Sequence, residues 1–72
     1  MIMMTEEKIE RVKKEYEAIA KEPLVVEYIG GTLYFFGSEL ACLRLFHKMP
    51  NKRVTYSPNR KSWVFVIELV YS

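Results

Sequence analysis

The sequence is poor in the residue types on which most catalytic and metal sites depend. It contains no aspartate and no glutamine, one histidine, His47, and one cysteine, Cys42. A nucleophile needs a base and an orienting acid beside it, and a structural zinc site needs several Cys or His ligands. Cys42 and His47 are separated by about one and a half helical turns, so they do not share a helix face. We therefore expect no enzymatic activity, no metal and no cofactor.

The scarcity of cysteine and of long apolar runs also indicates a compartment. With only Cys42, no internal disulfide is possible, which fits a reducing interior. The apolar runs are much shorter than the about 20 residues that span a membrane. The segment Met1–Met4 is too short for a signal-peptide core. We expect a cytoplasmic location, in a cell or a virus-infected cell, and no membrane partner.

The acidic residues are all glutamates, and they are unevenly distributed. Residues 1–22 hold six Glu and five Lys or Arg, whereas no acid lies between Glu39 and Glu68. The net charge is only +2, so any argument for an anionic partner depends on where the charge lies. The basic charge belongs to the second half of the chain. The absence of Asp and Gln beside abundant Glu and Lys is also typical of thermophilic proteins.

The length of 72 residues predicts a single domain, 1–72, with one hydrophobic core. A first helix is predicted over 5–21, because Thr5 is a good N-cap and Pro23 ends the pattern. Its apolar stripe consists of Ile9, Val12, Tyr16 and Ile19. A packed helix is the simple interpretation, and a partner-binding helix is the alternative.

The Gly30-Gly31 pair predicts a β-hairpin over 24–36, since two adjacent residues with positive φ form a two-residue turn. This turn pairs Ile29 with Thr32 and so fixes which side chains share a face. The wholly apolar face, predicted to be core, carries Leu24, Val26, Tyr28, Leu33 and Phe35.

A second helix is predicted over 38–49, with Ser38 as its N-cap. Its predicted core stripe is Leu40, Leu43, Phe46 and Met49, widened by Ala41, Cys42 and Leu45. This helix should be the more buried of the two, with Cys42 as a core residue.

The last hairpin is predicted over 52–71, with a loop of Pro-Asn-Arg-Lys between Ser57 and Ser62. This register places Tyr56 opposite Trp63 on an apolar face, so both should anchor the core. The other face is mixed. It carries Arg53, Thr55, Ser57, Ser62, Val64, Val66, Glu68 and Val70.

The element order α-β-β-α-β-β predicts an α+β fold: a four-stranded, largely antiparallel sheet with helices packed on one face, a two-layer sandwich. The pattern does not determine the strand order. The mixed sheet face contains more apolar side chain than a solvated face needs. The first helix, a second copy or a partner is expected to cover it.

The basic half of the chain supports a binding function. Basic side chains neutralise phosphates, while aromatic and short polar groups position a nucleic-acid strand. We predict a small non-enzymatic module that engages an anionic partner, either nucleic acid or an acidic protein surface, through a basic hairpin tip and the adjoining helix edge. The predicted residues are Arg53, Arg60 and Lys61 in the hairpin, flanked by Lys52, Lys48 and Arg44. The alternative interpretation is a solvated loop and sheet edge, kept charged against aggregation.

A second class of function is protein–protein interaction. The long last strand is apolar on both sides and would invite β-pairing if it lay at a sheet edge. The chain would then be a homodimer, or an inhibitor or adaptor such as a virus or plasmid encodes. The candidate interface residues are Val64, Val66, Val70, Tyr34 and Phe36.

Overall fold

The computed structural model describes residues 5–69, and within this range the chain follows the predicted α-β-β-α-β-β order. The two helices are α1 (Glu6–Ala20) and α2 (Glu39–Lys48). The four strands are β1 (Val25–Ile29), β2 (Thr32–Gly37), β3 (Arg53–Ser57) and β4 (Ser62–Glu68). The predicted α+β fold is confirmed. The end of the predicted second hairpin, residues 70 and 71, lies outside the described residues.

Local sequence signals determine where the helices begin and end. The Thr5 hydroxyl accepts a hydrogen bond from the Lys8 amide at 3.2 Å, and the Ser38 hydroxyl accepts one from the Ala41 amide at 3.1 Å. Both are N-caps that satisfy free amides of the first turn. Helix α1 ends at Ala20 and is capped by Lys21, whose φ of 61° is in the left-handed region that commonly closes a helix.

The two hairpin registers are as predicted. Gly30 and Gly31 adopt φ values of 56° and 79°, and Ile29 pairs with Thr32. In the second hairpin Ser57 pairs with Ser62, so that Tyr56 lies opposite Trp63 and Val54 opposite Phe65. Lys61, with φ of 51°, is in the left-handed region at the end of the turn.

The strand order is β1-β2-β4-β3, and every neighbouring pair is antiparallel. Strand β4 therefore lies in the interior of the sheet, and β1 and β3 are the edges. The backbone groups of β4 are already paired on both sides, so this strand is not free to add an edge-to-edge partner. The proposed β-pairing of the last strand with a partner required that strand to lie at a sheet edge, and it does not.

The core lies between the helices and one face of the sheet. Phe35, Phe65, Leu45 and Cys42 are its largest fully buried side chains. Tyr16 of α1 stacks on Phe35, with ring centroids 4.6 Å apart, and meets Phe65 edge-on at 6.5 Å. Desolvation by burial, with a smaller contribution from Glu15, raises the pKa of Tyr16.

Cys42 is a fully buried core residue, as predicted. Burial is the main cause that raises its pKa to about 11, and the negative charge of Glu22 acts in the same direction. A hydrogen bond with the backbone of Gly37 opposes the shift. The thiol is therefore protonated at neutral pH.

The predicted apolar stripe of α2 is wrong in detail. Leu40, Leu43 and Phe46 are exposed to 54%, 48% and 38%, whereas Ala41, Cys42 and Leu45 are buried. A strict repeat of three advances by 300° per step and so rotates around a helix of 3.6 residues per turn. The side chains that face the sheet follow the spacing 41, 42, 45 and 49. The expectation that α2 is more buried than α1 is confirmed.

Tyr56 is also not a core residue, because 46% of it is exposed. It belongs to the edge strand β3 and meets Trp63 edge-on, with ring centroids 5.5 Å apart. Trp63 is half-buried and packs against the core. The two rings therefore lie at the edge of the core, with Trp63 towards the core and Tyr56 towards the solvent.

Candidate functional site

One face of the sheet is left without a helix by residues 5–69. We call this surface the open face. It is formed by the alternate strand residues Val25, Glu27, Ile29, Thr32, Tyr34, Phe36, Arg53, Thr55, Ser57, Ser62, Val64, Val66 and Glu68. Both helices pack on the opposite face, where the core cluster lies. The mixed face of the sequence is therefore the open face, and α1 does not cover it.

Val64 and Val66 are each only 3% exposed although they lie on the open face. Strand β4 is interior, so each valine has a neighbour on both sides. Val66 is flanked by Tyr34 and Arg53, and Val64 by Phe36 and Thr55. Since no helix reaches this face within the described residues, these side chains provide the burial. The open face thus has its own small apolar layer.

An aromatic pair forms the outer surface of this layer. Tyr34 and Phe36 project from β2, with ring centroids 6.4 Å apart and planes inclined by 25°. Both side chains are partly exposed. Two nearly parallel rings on an interior strand present flat apolar surface to the solvent.

Arg60 connects the basic loop to this aromatic pair. Its guanidinium carbon lies 4.5 Å from the centroid of the Phe36 ring, and the group forms a salt bridge with Glu27. The loop side chain therefore folds back over the sheet as far as β1. A groove of about 380 Å³ runs beside it, lined by Phe36, Arg60, Ser62, Gly37, Pro23, Leu24 and Val25.

Arg53 occupies the other side of the open face. Its guanidinium lies 3.7 Å from the Glu68 carboxylate, and both side chains are more than half exposed. Lys52 lies next to it, in a smaller groove of about 180 Å³ that also involves Asn51, Val66 and Glu68. Lys61 is exposed at the end of the loop. Four predicted basic residues thus surround the aromatic pair or lie on the adjoining loop.

The other two predicted basic residues lie on the helical side of the sheet. The Arg44 guanidinium donates a hydrogen bond of 2.9 Å to the Ala20 carbonyl oxygen at the end of α1. This contact satisfies a free carbonyl and places a cation at the negative end of the helix dipole. Lys48 is exposed in the last turn of α2. The six residues therefore divide between two surfaces.

The predicted interface residues are similarly divided by exposure. Tyr34 and Phe36 are accessible on the open face, whereas Val64 and Val66 are already buried. Val70 lies outside the described residues. The most exposed apolar residues of this face are Val25 and Ile29 on the edge strand β1, at 57% and 60%.

Sequence reasoning did not identify the acidic partners of the two arginines. Arg53 lies opposite Val66, and Glu68 is two residues further along the same strand. The predicted hairpin register therefore already implied a diagonal contact between Arg53 and Glu68. The pairing of Arg60 with Glu27 depends on the strand order, because only the pairing of β2 with β4 places their two hairpins side by side. No local signal carries that information.

The two side chains considered for catalysis, Cys42 and His47, differ in their exposure. Cys42 is buried in the core, while His47 is exposed on α2. Residues 5–69 contain no group of three or more His, Cys, Asp or Glu able to hold a metal ion. Within the same range neither helix is long and apolar enough to cross a membrane.

Comparison of the chain with protein-family models, curated proteins and solved structures finds no match.

Proposed function

We propose that this protein is a non-enzymatic module that binds single-stranded nucleic acid on the open face of its sheet. The observation that carries the proposal is the partly exposed pair of Tyr34 and Phe36 on an interior strand, with Arg60 and Arg53 on either side. Aromatic rings stack on bases and are tolerant of sequence, while flanking cations hold the backbone. The arrangement supplies both kinds of contact within one surface.

The two arginines are available to phosphate despite their ion pairs. Exposed pairs contribute about 0.2–1 kcal/mol, so a phosphate can replace the carboxylate at little cost. The Arg60 guanidinium lies over the Phe36 ring. Guanidinium planes themselves stack on bases, so Arg60 extends the aromatic surface in the complex.

The charge of the site predicts weak, salt-sensitive binding. The site combines four basic residues, Lys52, Arg53, Arg60 and Lys61, with two acidic ones, Glu27 and Glu68, which leaves two net positive charges at the surface. With one phosphate contact for each of the four basic side chains, the affinity for a single strand should fall about 50-fold between roughly 50 and 200 mM salt. Single strands expose base faces for stacking and should bind more tightly than a duplex.

The test is fluorescence anisotropy with labelled oligouridine and oligothymidine over this salt range. Replacing both Arg53 and Arg60 by glutamine should weaken binding and reduce the salt slope by about 1.4. The variant Tyr34→Ala should lower affinity by about 5- to 150-fold, the value of one base–aromatic stack.

Matched variants on the other surfaces provide the controls. Replacing both Lys14 and Lys48 by glutamine removes the same charge from the helices, and Tyr56→Ala removes an exposed ring beside Trp63. Both variants should bind oligonucleotide with an affinity within about 2-fold of the parent protein. The double lysine variant should show only the small, non-local effect of a lower net charge. No binding at low salt, or equal losses in the control variants, would refute the proposal.

The homodimer alternative gives a different result. Association through the open face should appear in sedimentation as a dimer that Tyr34→Ala dissociates, and it should exclude nucleic acid from the same surface. A monomer that binds oligonucleotide supports the present proposal. The cytoplasmic location expected from the sequence belongs to the same proposal, supported by the single cysteine, Cys42, which allows no internal disulfide.

A further inference from the structure

A second surface lies on the opposite side of the molecule, where α1 and α2 meet. An open groove of about 330 Å³ is formed there by residues of both helices. Its apolar base consists of Ile19 from α1 with Leu40 and Leu43 from α2. The groove is separate from the open face and shares none of its residues.

Of the three residues of the apolar base, Ile19 also packs against the core, whereas the two leucines do not belong to it. Helix α2 buries Ala41, Cys42 and Leu45 against the sheet, while Leu40 and Leu43 are exposed to 54% and 48%. Two leucines one helical turn apart offer an i, i+3 ridge to solvent. Such a ridge beside a groove is the geometry that accepts the apolar face of another helix.

The ionisable residues around the rim of the groove are all basic. Among its lining residues the ionisable ones are Lys21, Arg44, His47 and Lys48, and none of these lining residues is acidic. Arg44 is held in place by its hydrogen bond to the Ala20 carbonyl oxygen, so its position is fixed before any partner arrives. The rim therefore selects an occupant with negative charge beside its apolar groups.

We propose that this groove docks an acidic amphipathic helix of a partner protein. Leucine or phenylalanine side chains of the partner would contact Leu40, Leu43 and Ile19, and its Asp or Glu side chains would lie against the basic rim. Apolar contact supplies affinity, and the rim supplies orientation and choice of partner. A nucleic-acid strand could contact the basic rim, but it would leave the exposed leucines uncovered. An acidic amphipathic helix would contact both the basic rim and the leucines.

The test is a display selection with random peptides of roughly 15 residues, a length that permits helix formation. Selected peptides should combine acidic residues with Leu or Phe at i, i+3 or i+4 spacing. Their affinity should fall at least 10-fold in the variants Leu43→Glu and Lys48→Glu, both at exposed positions. Lys14→Glu, the same charge change elsewhere on α1, should have less than a 2-fold effect.

Other outcomes contradict the proposal. Selection of no peptide, of peptides without acidic enrichment, or of peptides insensitive to Leu43→Glu would overturn it. A dimer in sedimentation that Leu43→Glu dissociates would mean that a second copy occupies the groove. Peptide binding should remain in the double variant of Arg53 and Arg60, which separates this surface from the open face.

Discussion

The orientation of α2 determines which side chains form the core and which remain for binding, and a pair of leucine truncations tests it. Leu45 is fully buried, whereas Leu43, two positions earlier, is 48% exposed. A buried leucine replaced by alanine costs about 2–5 kcal/mol, from lost transfer energy and the cavity left behind. Leu43→Ala should cost less than about 1 kcal/mol, because water already reaches half of the side chain.

These values are large compared with the stability of so small a domain. For 72 residues the free energy of unfolding is expected to be about 4–11 kcal/mol. Leu45→Ala should therefore remove about a fifth or more of it and lower Tm by about 4–8 °C for each kcal/mol. The loss should appear in urea as a lower midpoint with an unchanged m-value.

Urea unfolding can be followed by the fluorescence of Trp63, which packs against the core. Leu40→Ala is the matched control on the exposed side of α2. If Leu43→Ala or Leu40→Ala were as costly as Leu45→Ala, the helix would be rotated from the orientation described. The groove between α1 and α2 would then lose its apolar base.

Two further predictions concern titration and the ion pair of the open face. Cys42 has its folded pKa raised to about 11 from 9.0, so its contribution to stability is complete below pH 9 and is lost as pH rises through 11. Urea midpoints should therefore fall above pH 9, with a smaller fall in Cys42→Ala; an identical fall in both proteins would contradict this assignment. Replacing Glu27 by glutamine should free Arg60 for phosphate and strengthen oligouridine binding about 1.4- to 5-fold, the range for an exposed ion pair. Weaker binding in that variant, measured by anisotropy beside the parent protein, would show that Glu27 positions Arg60 for the ligand.

Short-range sequence signals were enough to predict the helix starts and the registers of both hairpins. The caps Thr5 and Ser38 mark the helix starts, and Gly30-Gly31 and the Pro58–Lys61 loop determine both hairpin registers. These features depend on residues close together in the chain, where backbone geometry leaves few alternatives. The division of each hairpin into an apolar and a mixed face followed directly from them.

The rest depends on contacts between distant residues. Strand order brings β2 beside β4, and this pairing buries Val64 and Val66 on a face that the sequence alone leaves mixed. It also brings Glu27 within reach of Arg60, so that a loop expected to project as a basic tip folds back on Phe36. The thermophilic character indicated by composition stays a prediction.

The central claim is that the open face binds single-stranded nucleic acid. An amide NMR titration with oligouridine tests it most directly, because it maps contacts residue by residue. The account predicts salt-sensitive shifts at Tyr34, Phe36, Val64, Val66 and Arg53, with Leu43 and Lys48 of α2 unchanged. Shifts confined to α2, or no shifts at low salt, would contradict it.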